Sequence, residues 1–483
     1  MNSSKKTISV ISKIIYLLNF IMSALFIYVI YTTKMVPDKY LYIIIGVLAL
    51  LFIIHSIFIF KKKTKLWVLV LLDIFGLLLI VLEAFGYFKI NEAIDFLNNN
   101  LGGKYETSVY NLVVNSESSY TKKEDIKVKD VYLVKDMDDM TDVEESLNRL
   151  VKVNVKYNEE GVIKLLNSVE NDPNMIILVN SGNYDAMVEN TEGYEAKTRI
   201  IDTVVVKTRI ENGETGIDVT KDPFLIYISG IDTRSGKMPS RSLSDVNIVM
   251  AVNPNTHKVL MIHVPRDYYV QVSGTTGLKD KLTHSGAIGG VSLTMKTLDE
   301  ILDIDIKYYV RVNFNAVINL VDTLGGLTVN NDQSYGFRCY TDNRCYIRPG
   351  ENKLDGKCTL AFARERYAYK EGDKHRGENQ EQIISLLIDK ISSSKTILSN
   401  YSNLLKALNG TFESNITTDE MAKLINMQLD EMPSWTIETA NLDGSSAKAY
   451  TASYAAQELY VMIPNQESID NAKVKLKEVL EGE

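Results

Sequence analysis

The sequence predicts an α/β protein in three parts: an N-terminal membrane anchor of three helices, an α/β accessory domain, and a further α/β domain that carries the chemistry. Three observations predict it. Long apolar runs are confined to the first fifth of the 483 residues, strand-like and helix-like segments alternate through the middle, and from Pro223 onward short apolar strands deliver charged residues at their ends.

The apolar runs, roughly Ile8 to Tyr31, Tyr40 to Phe60 and Leu66 to Phe88, are each long enough for a helix to cross a hydrocarbon core about 30 Å thick. A removed signal peptide does not explain three spans joined by short links. Lys5, Lys6 and Lys13 precede or open the first span, and Lys61, Lys62, Lys63 and Lys65 crowd the second link, so both belong on the cytoplasmic side. Lys34 and Lys39 against Asp38 give the first link a weaker bias. Three crossings then put everything after Phe88 outside the cytoplasm. Within the spans, His55 and Asp73 fall at similar depth in a helical hairpin and are expected to pair, and Glu83 is expected to reach the outer boundary.

Composition fits an anchored globular protein: 45% of residues are hydrophobic and 24% charged, enough after the spans for two domains. The net charge of -8 excludes nucleic acid as the main partner, because counterion release needs a basic face. There are three cysteines. Cys339 and Cys345 are close enough in FRCYTDNRC to close a small disulfide loop, leaving Cys358 over. No CxxC pair or accompanying histidine suggests a zinc site.

Domain boundaries follow at 1–88 for the spans, 89–219 for the accessory domain, 220–395 for the further α/β domain and 396–483 for a C-terminal part packing on it. In the accessory domain, strands are expected at Val131 to Lys135, Met175 to Asn180 and around Ile200 to Val206. A helix near Thr141 to Leu150 has Thr141 and Glu144 at capping-box spacing. Asp136, Asp138 and Asp139 have the residue type to hold a cation, but strand-to-helix loops often carry Asp to cap turns, which is the preferred reading. ENGETGIDVTKD, Glu211 to Asp222, reads as a linker.

From Pro223, FLIYISG reads as a strand buried on both faces that delivers Asp232 into the following loop. VNIVMAV follows Asp245, and KVLMIHV ends in Pro265, Arg266 and Asp267. Ligands gather at the carboxyl ends of strands in α/β sheets, and two strand-end aspartates are the ligand type Mg²⁺ prefers. Farther on, Phe362 to Gln380 clusters Arg364, Arg366 and Arg376 with Glu365, Asp373 and Gln380. Planar guanidiniums that hold two phosphate oxygens each and never lose their charge are what a diphosphate requires, while a charge run of this kind taken alone is equally a solvated surface.

SGIDTR, SDVNIVMAVNP, HVPRDYYV, KLTHSGAIGG, LVDTLGGL, LDGKCTLAFARER and GDKHRGENQ, in that order over Pro223 to Ser393, resemble the LytR-CpsA-Psr family. The three spans and the intervening domain resemble its capsule-type branch. The resemblance implies an α/β/α catalytic domain with a central mixed sheet. It also implies a phosphotransferase that takes a glycopolymer from an undecaprenyl diphosphate carrier and joins it through a phosphodiester to peptidoglycan. Asp232 and Asp245 match the family's metal-associated aspartates, for Mg²⁺ or Mn²⁺. Arg266, Arg364, Arg366 and Arg376 match its diphosphate-binding arginines, with Gln380 as a further polar contact. Lys281 sits where a head-group contact is expected, Asp267 where it orients Arg266, and Asp373 where a base would accept the sugar hydroxyl's proton.

One position departs from the pattern. The family commonly has an arginine two residues before the second aspartate, where this chain has Leu243. Arg241, four residues before Asp245, or Arg234, just after Asp232, stands in as a substrate contact. His284, Gly286, Gly289 and Gly290 read as a turn. A polyprenyl chain also needs a long apolar cavity, for which Leu293 to Leu302, Val310 to Leu320 and Ile383 to Ile388 are the candidate linings and equally candidate core. Two other functions use the same features: a membrane receptor or regulator binding lipid-linked glycans, and a polyprenyl diphosphate glycan pyrophosphatase.

Overall fold

Apolar composition makes three long helices of most of the first hundred residues. The computed structural model describes residues 2–61, 64–102, 105–134, 140–209, 215–232, 238–370, 372–392, 403, 404, 406–453 and 457–482. The chain divides into two units: Met1–Asn99 with Ser392–Lys406 and Thr417–Ser434, and Asn100–Ile391 with Ala407–Ile416 and Trp435–Glu483.

In the first unit, α1 (Asn2–Thr33), α2 (Asp38–Phe60) and α3 (Leu66–Asn100) are all long and apolar enough to cross a membrane. Their outer faces are apolar and exposed while polar groups turn inward, as a bundle in lipid requires. Ser12 on α1 donates to Asp73 on α3 at 2.7 Å, and Ser23 donates to Glu83. Glu83 is only 2% exposed, so it is held by α1 rather than reaching for the boundary. Asp73 likewise takes its hydrogen bond from Ser12, and none joins it to His55. The histidine ring instead packs beside Gly76, one turn along, and edge-on to Tyr16. A Cβ at Gly76 would stand 2.7 Å from the Asn19 side chain; its absence lets α3 approach α1.

α3 continues twelve residues past the apolar run that ends at Phe88, so the boundary expected at 88 lies inside a helix. Beyond it, the helix Thr418–Glu431 starts with a capping box from Thr417 and Glu420. Its Lys39–Asp430 ion pair at 2.7 Å and a hydrogen bond from Asn426 to the Lys34 carbonyl tie it to the α1–α2 link. Thr418 also bonds Asn98 at the end of α3, at 3.3 Å.

The second unit contains two sheets. The accessory sheet runs β3-β2-β4-β1-β5, from β1 (Tyr105–Asn115), β2 (Asp130–Val134), β3 (Asn154–Asn158), β4 (Ile176–Asn180) and β5 (Thr198–Arg209). The helices α4 (Met140–Leu150), α5 (Val162–Asn171), α6 (Ser181–Asn190) and the short α7 (Tyr194–Lys197) join them. The strands expected here are found, but α4 begins at Met140, which puts Thr141 inside the helix instead of at its cap. Asp136, Asp138 and Asp139 lie outside the described residues, as does the start of the expected linker.

The central sheet follows from β6 (Phe224–Ile231), β7 (Val246–Asn253) and β8 (Lys258–His263), three buried apolar strands. β9 (Tyr269–Val270) and β10 (Asp280–Lys281) form a short ribbon leading into α8 (Leu282–Leu302). β11 (Tyr308–Asn313) and α9 (Phe314–Thr323) follow. Then come β12 (Leu327–Asn331), β13 (Phe337–Arg338), β14 (Tyr346–Ile347), β15 (Gly350–Leu354), α10 (Gly356–Ala363) and α11 (Asp373–Ser392). β16 (Phe412–Ser414), β17 (Thr436–Asn441), β18 (Gly444–Ala449), β19 (Leu459–Pro464) and the C-terminal helix Gln466–Glu481 complete the unit.

The sheet order is β16-β11-β6-β7-β8-β17, with β11/β6 and β8/β17 parallel and the other neighbours antiparallel. The C-terminal part thus supplies both edge strands of the catalytic sheet, where the sequence suggested only packing against it. Because side chains alternate along a strand, Leu225 and Tyr227 of β6 and Tyr309 of β11 point to one face. There they join Leu298 and Leu302 of α8 and Leu476 of the C-terminal helix in a closed core. Ile228, Val310 and Val312 point to the other face, toward α9 and α11. The glycines read as a turn lie within α8, which kinks at Gly289 and Gly290; Gly290 adopts φ +67° where a Cβ would meet the Ser240 carbonyl at 2.8 Å.

The disulfide expectation is corrected. Cys345 joins Cys358, at the start of α10, and Cys339 is a buried free thiol. Cys339 and Cys345 do face one another, but through a backbone hydrogen bond of 3.0 Å beside the β13–β14 ribbon. The ribbon's Cys345 side chain is instead brought to α10, with a Cα–Cα distance of 5.3 Å. Closing this loop stabilises the fold by about 3 kcal/mol on chain-entropy grounds. Burial pushes the Cys339 thiol up to about 12, which makes it inert. Peptide mapping without reduction is expected to recover a Cys345–Cys358 linked pair, with Cys339 alkylated only after denaturation; a Cys339–Cys345 peptide would contradict the pairing.

Candidate active site

Asp232 and Asp245 come from neighbouring antiparallel strands at one end of the central sheet. Gly230 is what brings the strands together there: a Cβ on it would stand 2.7 Å from Val246, and the Asp245 amide donates to the Gly230 carbonyl at 2.9 Å. Beside them, the Pro265–Asp267 turn carries Arg266 and Asp267, and Lys281 stands at the N-cap position of α8.

These groups form an ion-pair cluster around Arg266. Its guanidinium donates to Asp245 and to Glu189 of α6 and lies 4.0 Å from Asp267. Lys281 donates to Asp267 at 3.1 Å with both side chains buried. Burial alone would push the Asp267 carboxyl up, but Arg266, Lys281 and Arg376 outweigh it and hold the carboxyl below its ordinary value. It is therefore an anion committed to orienting cations, and a poor proton acceptor.

The arginine cluster lies opposite. α10 ends at Arg364, which stacks on the Phe314 ring at 4.5 Å and reaches Asp232 at 3.3 Å. Arg366 lies over the Tyr367 ring at 4.8 Å and donates to its hydroxyl at 2.8 Å. Arg376 and Gln380 are on α11, whose close approach depends on Gly377, where a Cβ would meet the His263 ring at 2.5 Å. Burial, with Arg376 nearby, pushes His263 down to about 3, so it is neutral. Gln380 donates to the Ala363 carbonyl at 3.2 Å, while its buried Oε1 has no hydrogen-bond partner.

A cavity of about 700 Å³ joins both groups. Its mouth carries Asp245, Arg266, Asp267, Lys281, Arg364, Arg366, Arg376 and Gln380, and its interior is apolar, with Val310, Val312, Val317, Leu320, Ile384 and Leu387 among the lining. Two of the three segments proposed as lipid lining thus face it, and the third, Leu293 to Leu302, packs in the closed core on the other side of the sheet. Asp232 joins the mouth through Arg364.

Arg241 does not line the cavity. It is 4% exposed in a loop whose backbone lies against Gly182 of the accessory region, so the substrate contact assigned to it is not supported. Arg234 lies outside the described residues, as does the side chain of Asp373, whose backbone opens α11. His284 is buried between Asp280, at 2.5 Å, and Asn190; it is structural. Glu189, Phe314 and Tyr367 were not foreseen as site residues. Tyr367 sits inside the arginine segment and was open to notice, whereas nothing in the sequence ties Glu189 to Arg266 some eighty residues on.

The family model of LytR_cpsA_psr matches residues 178–478. The chain belongs to the LytR_cpsA_psr family. A polyisoprenyl-teichoic acid–peptidoglycan teichoic acid transferase, TagU, of Bacillus subtilis (strain 168) is 34% identical over 215 residues, covering 44% of this chain and 67% of TagU. Biofilm regulatory protein A of Streptococcus mutans is 32% identical over 254 residues, 50% of this chain and 62% of that protein. The crystal structure of B. subtilis TagV has a TM-score of 0.46 and 31% identity over 54% of this chain and 98% of TagV. Matches of this kind span about two thirds of the curated relatives, and the LytR_cpsA_psr match begins within β4 of the accessory sheet and takes in all six strands of the central sheet.

Glu381, beside Gln380 on α11, is buried and bonded by Asn441 at 3.2 Å; burial pushes its carboxyl up to about 8. Raised above the ordinary 4.5, it binds a proton in the folded state that the unfolded chain has lost. The contribution of Glu381 to stability is therefore greatest below about 4.5 and falls as pH rises toward about 8. Glu381→Gln is expected to raise the melting temperature by several degrees at pH about 8.5 and little at pH about 5; an equal shift at both would contradict a raised Glu381.

Proposed function

We propose that the protein is a phosphotransferase that takes a glycopolymer from an undecaprenyl-type diphosphate carrier and joins it to a peptidoglycan sugar hydroxyl through a phosphodiester. The observation that carries this reading is an apolar cavity of about 700 Å³ whose mouth presents Arg266, Arg364, Arg366, Arg376 and Lys281. Lipid and diphosphate are the two chemistries such a site separates. The transferase name of TagU supports it further. The polymer is of the capsule, teichoic acid-like or other secondary wall type.

The acceptor hydroxyl attacks the glycan-side phosphorus, forming a P–O bond as the bridging P–O bond breaks and polyprenyl phosphate leaves with the electron pair. Arg364, Arg366 and Arg376 hold the diphosphate oxygens from one side and Arg266 from the other, neutralising charge where it develops on the leaving phosphate. Gln380 offers a polar contact through its side-chain amide. Asp267 keeps Arg266 and Lys281 in place, and Asp373 is assigned to accept the hydroxyl's proton.

Two carboxylates at one strand end, Asp232 and Asp245, fit the donor set of Mg²⁺ or Mn²⁺, whose remaining ligands are water and substrate oxygens. Such a cation supplies charge neutralisation at the diphosphate. Arg364 and Arg266, which pair with these aspartates in the structure, are then free to turn to phosphate oxygens.

The reading places the chain in the cell membrane with its N-terminus cytoplasmic and the site outside. Lysine distribution supports this, as does the Thr418–Glu431 helix, which touches both the α1–α2 link and the end of α3 as three crossings require. A disulfide is also at home in an oxidising exterior.

Purified full-length protein in detergent, given a polyprenyl diphosphate glycan and a peptidoglycan acceptor, is expected to release polyprenyl phosphate and form the phosphodiester. Arg364→Ala is expected to lower kcat/KM by about 100-fold or more. An unchanged rate in this variant would support a receptor instead, and free phosphorylated glycan as sole product would indicate a pyrophosphatase. Chelation of divalent metal is expected to suppress turnover reversibly; full turnover in its absence would remove the metal role of Asp232 and Asp245.

A further inference from the structure

Tyr335, Tyr340, Tyr346 and Tyr367 all stand exposed to solvent. Tyr335 precedes β13, Tyr340 follows it, Tyr346 lies in β14, and Tyr367 belongs to the turn after α10. Single rings scattered over a surface need no explanation, but these are gathered. The Tyr340 and Tyr367 rings meet with 4.4 Å between centroids, and the Tyr335 hydroxyl donates to the carbonyl of Ala368, the residue after Tyr367, at 2.7 Å. On the β13–β14 ribbon, Phe337, Cys339, Cys345 and Ile347 are buried while the cross-strand pair Arg338 and Tyr346 faces out. The Arg338 guanidinium lies 5.7 Å over the Tyr346 ring.

Two devices fix the rings. Glu365, 1% exposed, sits between Arg364 and Arg366, and its carboxylate accepts the backbone amides of Tyr340 at 2.5 Å, Tyr367 at 2.8 Å and Ala368 at 3.0 Å. Charge-assisted bonds of this kind clamp the ribbon to the arginine turn. The Cys345–Cys358 disulfide pins the other strand of the ribbon to α10. Rings held before a ligand arrives lose little entropy on binding it, yet Tyr340 remains 71% exposed and Tyr367 61%.

The platform continues the site, because Tyr340, Thr341 and Tyr367 line the same cavity mouth as Arg364 and Arg366. Under the transfer reading, the carrier-linked glycan is tethered there by its own diphosphate and lipid. The acceptor arrives with no such anchor, and its hydroxyl must be held at the diphosphate for the reaction to gain from proximity. A β-1,4-linked hexosamine strand presents flat C–H faces and hydroxyl edges, which the apolar face and the hydroxyl of tyrosine match. Arg338, beside Tyr346, has the charge to meet the carboxylates that peptidoglycan peptides carry. We infer that Tyr340, Tyr367 and Tyr346 form the acceptor subsite, stacking on the sugar rings of a peptidoglycan glycan strand. The acceptor role rests on the transfer reading, whereas glycan binding rests on the rings themselves.

Calorimetric titration of the full-length chain in zwitterionic detergent with tetra-N-acetylchitotetraose and with maltotetraose tests binding without turnover. The β-linked, N-acetylated tetramer is expected to bind at millimolar concentration or below, and more tightly than maltotetraose. Tyr340→Ala combined with Tyr346→Ala is expected to weaken that binding by about tenfold, with melting temperature unchanged, and Tyr340→Trp to retain it. In the transfer assay the double variant is expected to raise KM for the peptidoglycan acceptor by a similar factor and to leave KM for the polyprenyl diphosphate glycan as it is. If the wild-type protein transfers nothing but binds the tetramer through Tyr340 and Tyr346, the platform is supported and the transfer reading falls. No binding of the tetramer to folded wild-type protein, undiminished binding by the double variant, or a rise in KM confined to the polyprenyl diphosphate glycan would overturn the inference.

Discussion

Everything at the site depends on how Arg266 is held. Its guanidinium meets Asp245, Glu189 and Asp267, carboxylates contributed by the entry to β7, by α6 of the accessory region and by its own turn. Charges this poorly solvated are tolerated only when paired, so the three segments are fixed with respect to one another. Lys281 extends the cluster through Asp267 and brings the start of α8 into it. The consequence is a mouth whose positive charge is already balanced by carboxylates. In the proposed function a diphosphate would replace those partners, which favours ligands carrying several anionic oxygens over a single carboxylate or a neutral head group.

Behind the mouth, the sheet face that carries Val310 and Val312 is left open beneath α9 and α11 as a cavity of about 700 Å³. The opposite face of the same sheet shows what filled packing looks like, with Tyr227, Leu298, Leu302 and Leu476 in a closed core. One sheet thus carries a filled face and a face kept open.

Much of this was legible in the sequence, and the reasons differ by element. β6, β7 and β8 are short apolar strands bounded by turn residues, and the charged residues at their ends marked the site. The arginines of Phe362 to Gln380 were visible by their density. Arg241 failed because spacing along a loop does not say which way a side chain turns, and the Cys339–Cys345 pairing failed because sequence proximity put the two backbones, not the two sulfurs, together. Glu83 was misread because a span's polar residues are settled by what the neighbouring helix offers, here Ser23. Leu293 to Leu302 and Val310 to Leu320 have the same apolar character, and only the sheet decides which faces the core and which the cavity.

The central claim, that one site holds a diphosphate at the mouth and its lipid in the apolar interior, is tested most directly by a crystal structure with a polyprenyl diphosphate bound. The account predicts phosphate oxygens among Arg266, Arg364, Arg366 and Arg376 and the prenyl chain between β11, α9 and α11. Density for the head group away from these arginines, or a lipid chain lying outside the cavity, would contradict it.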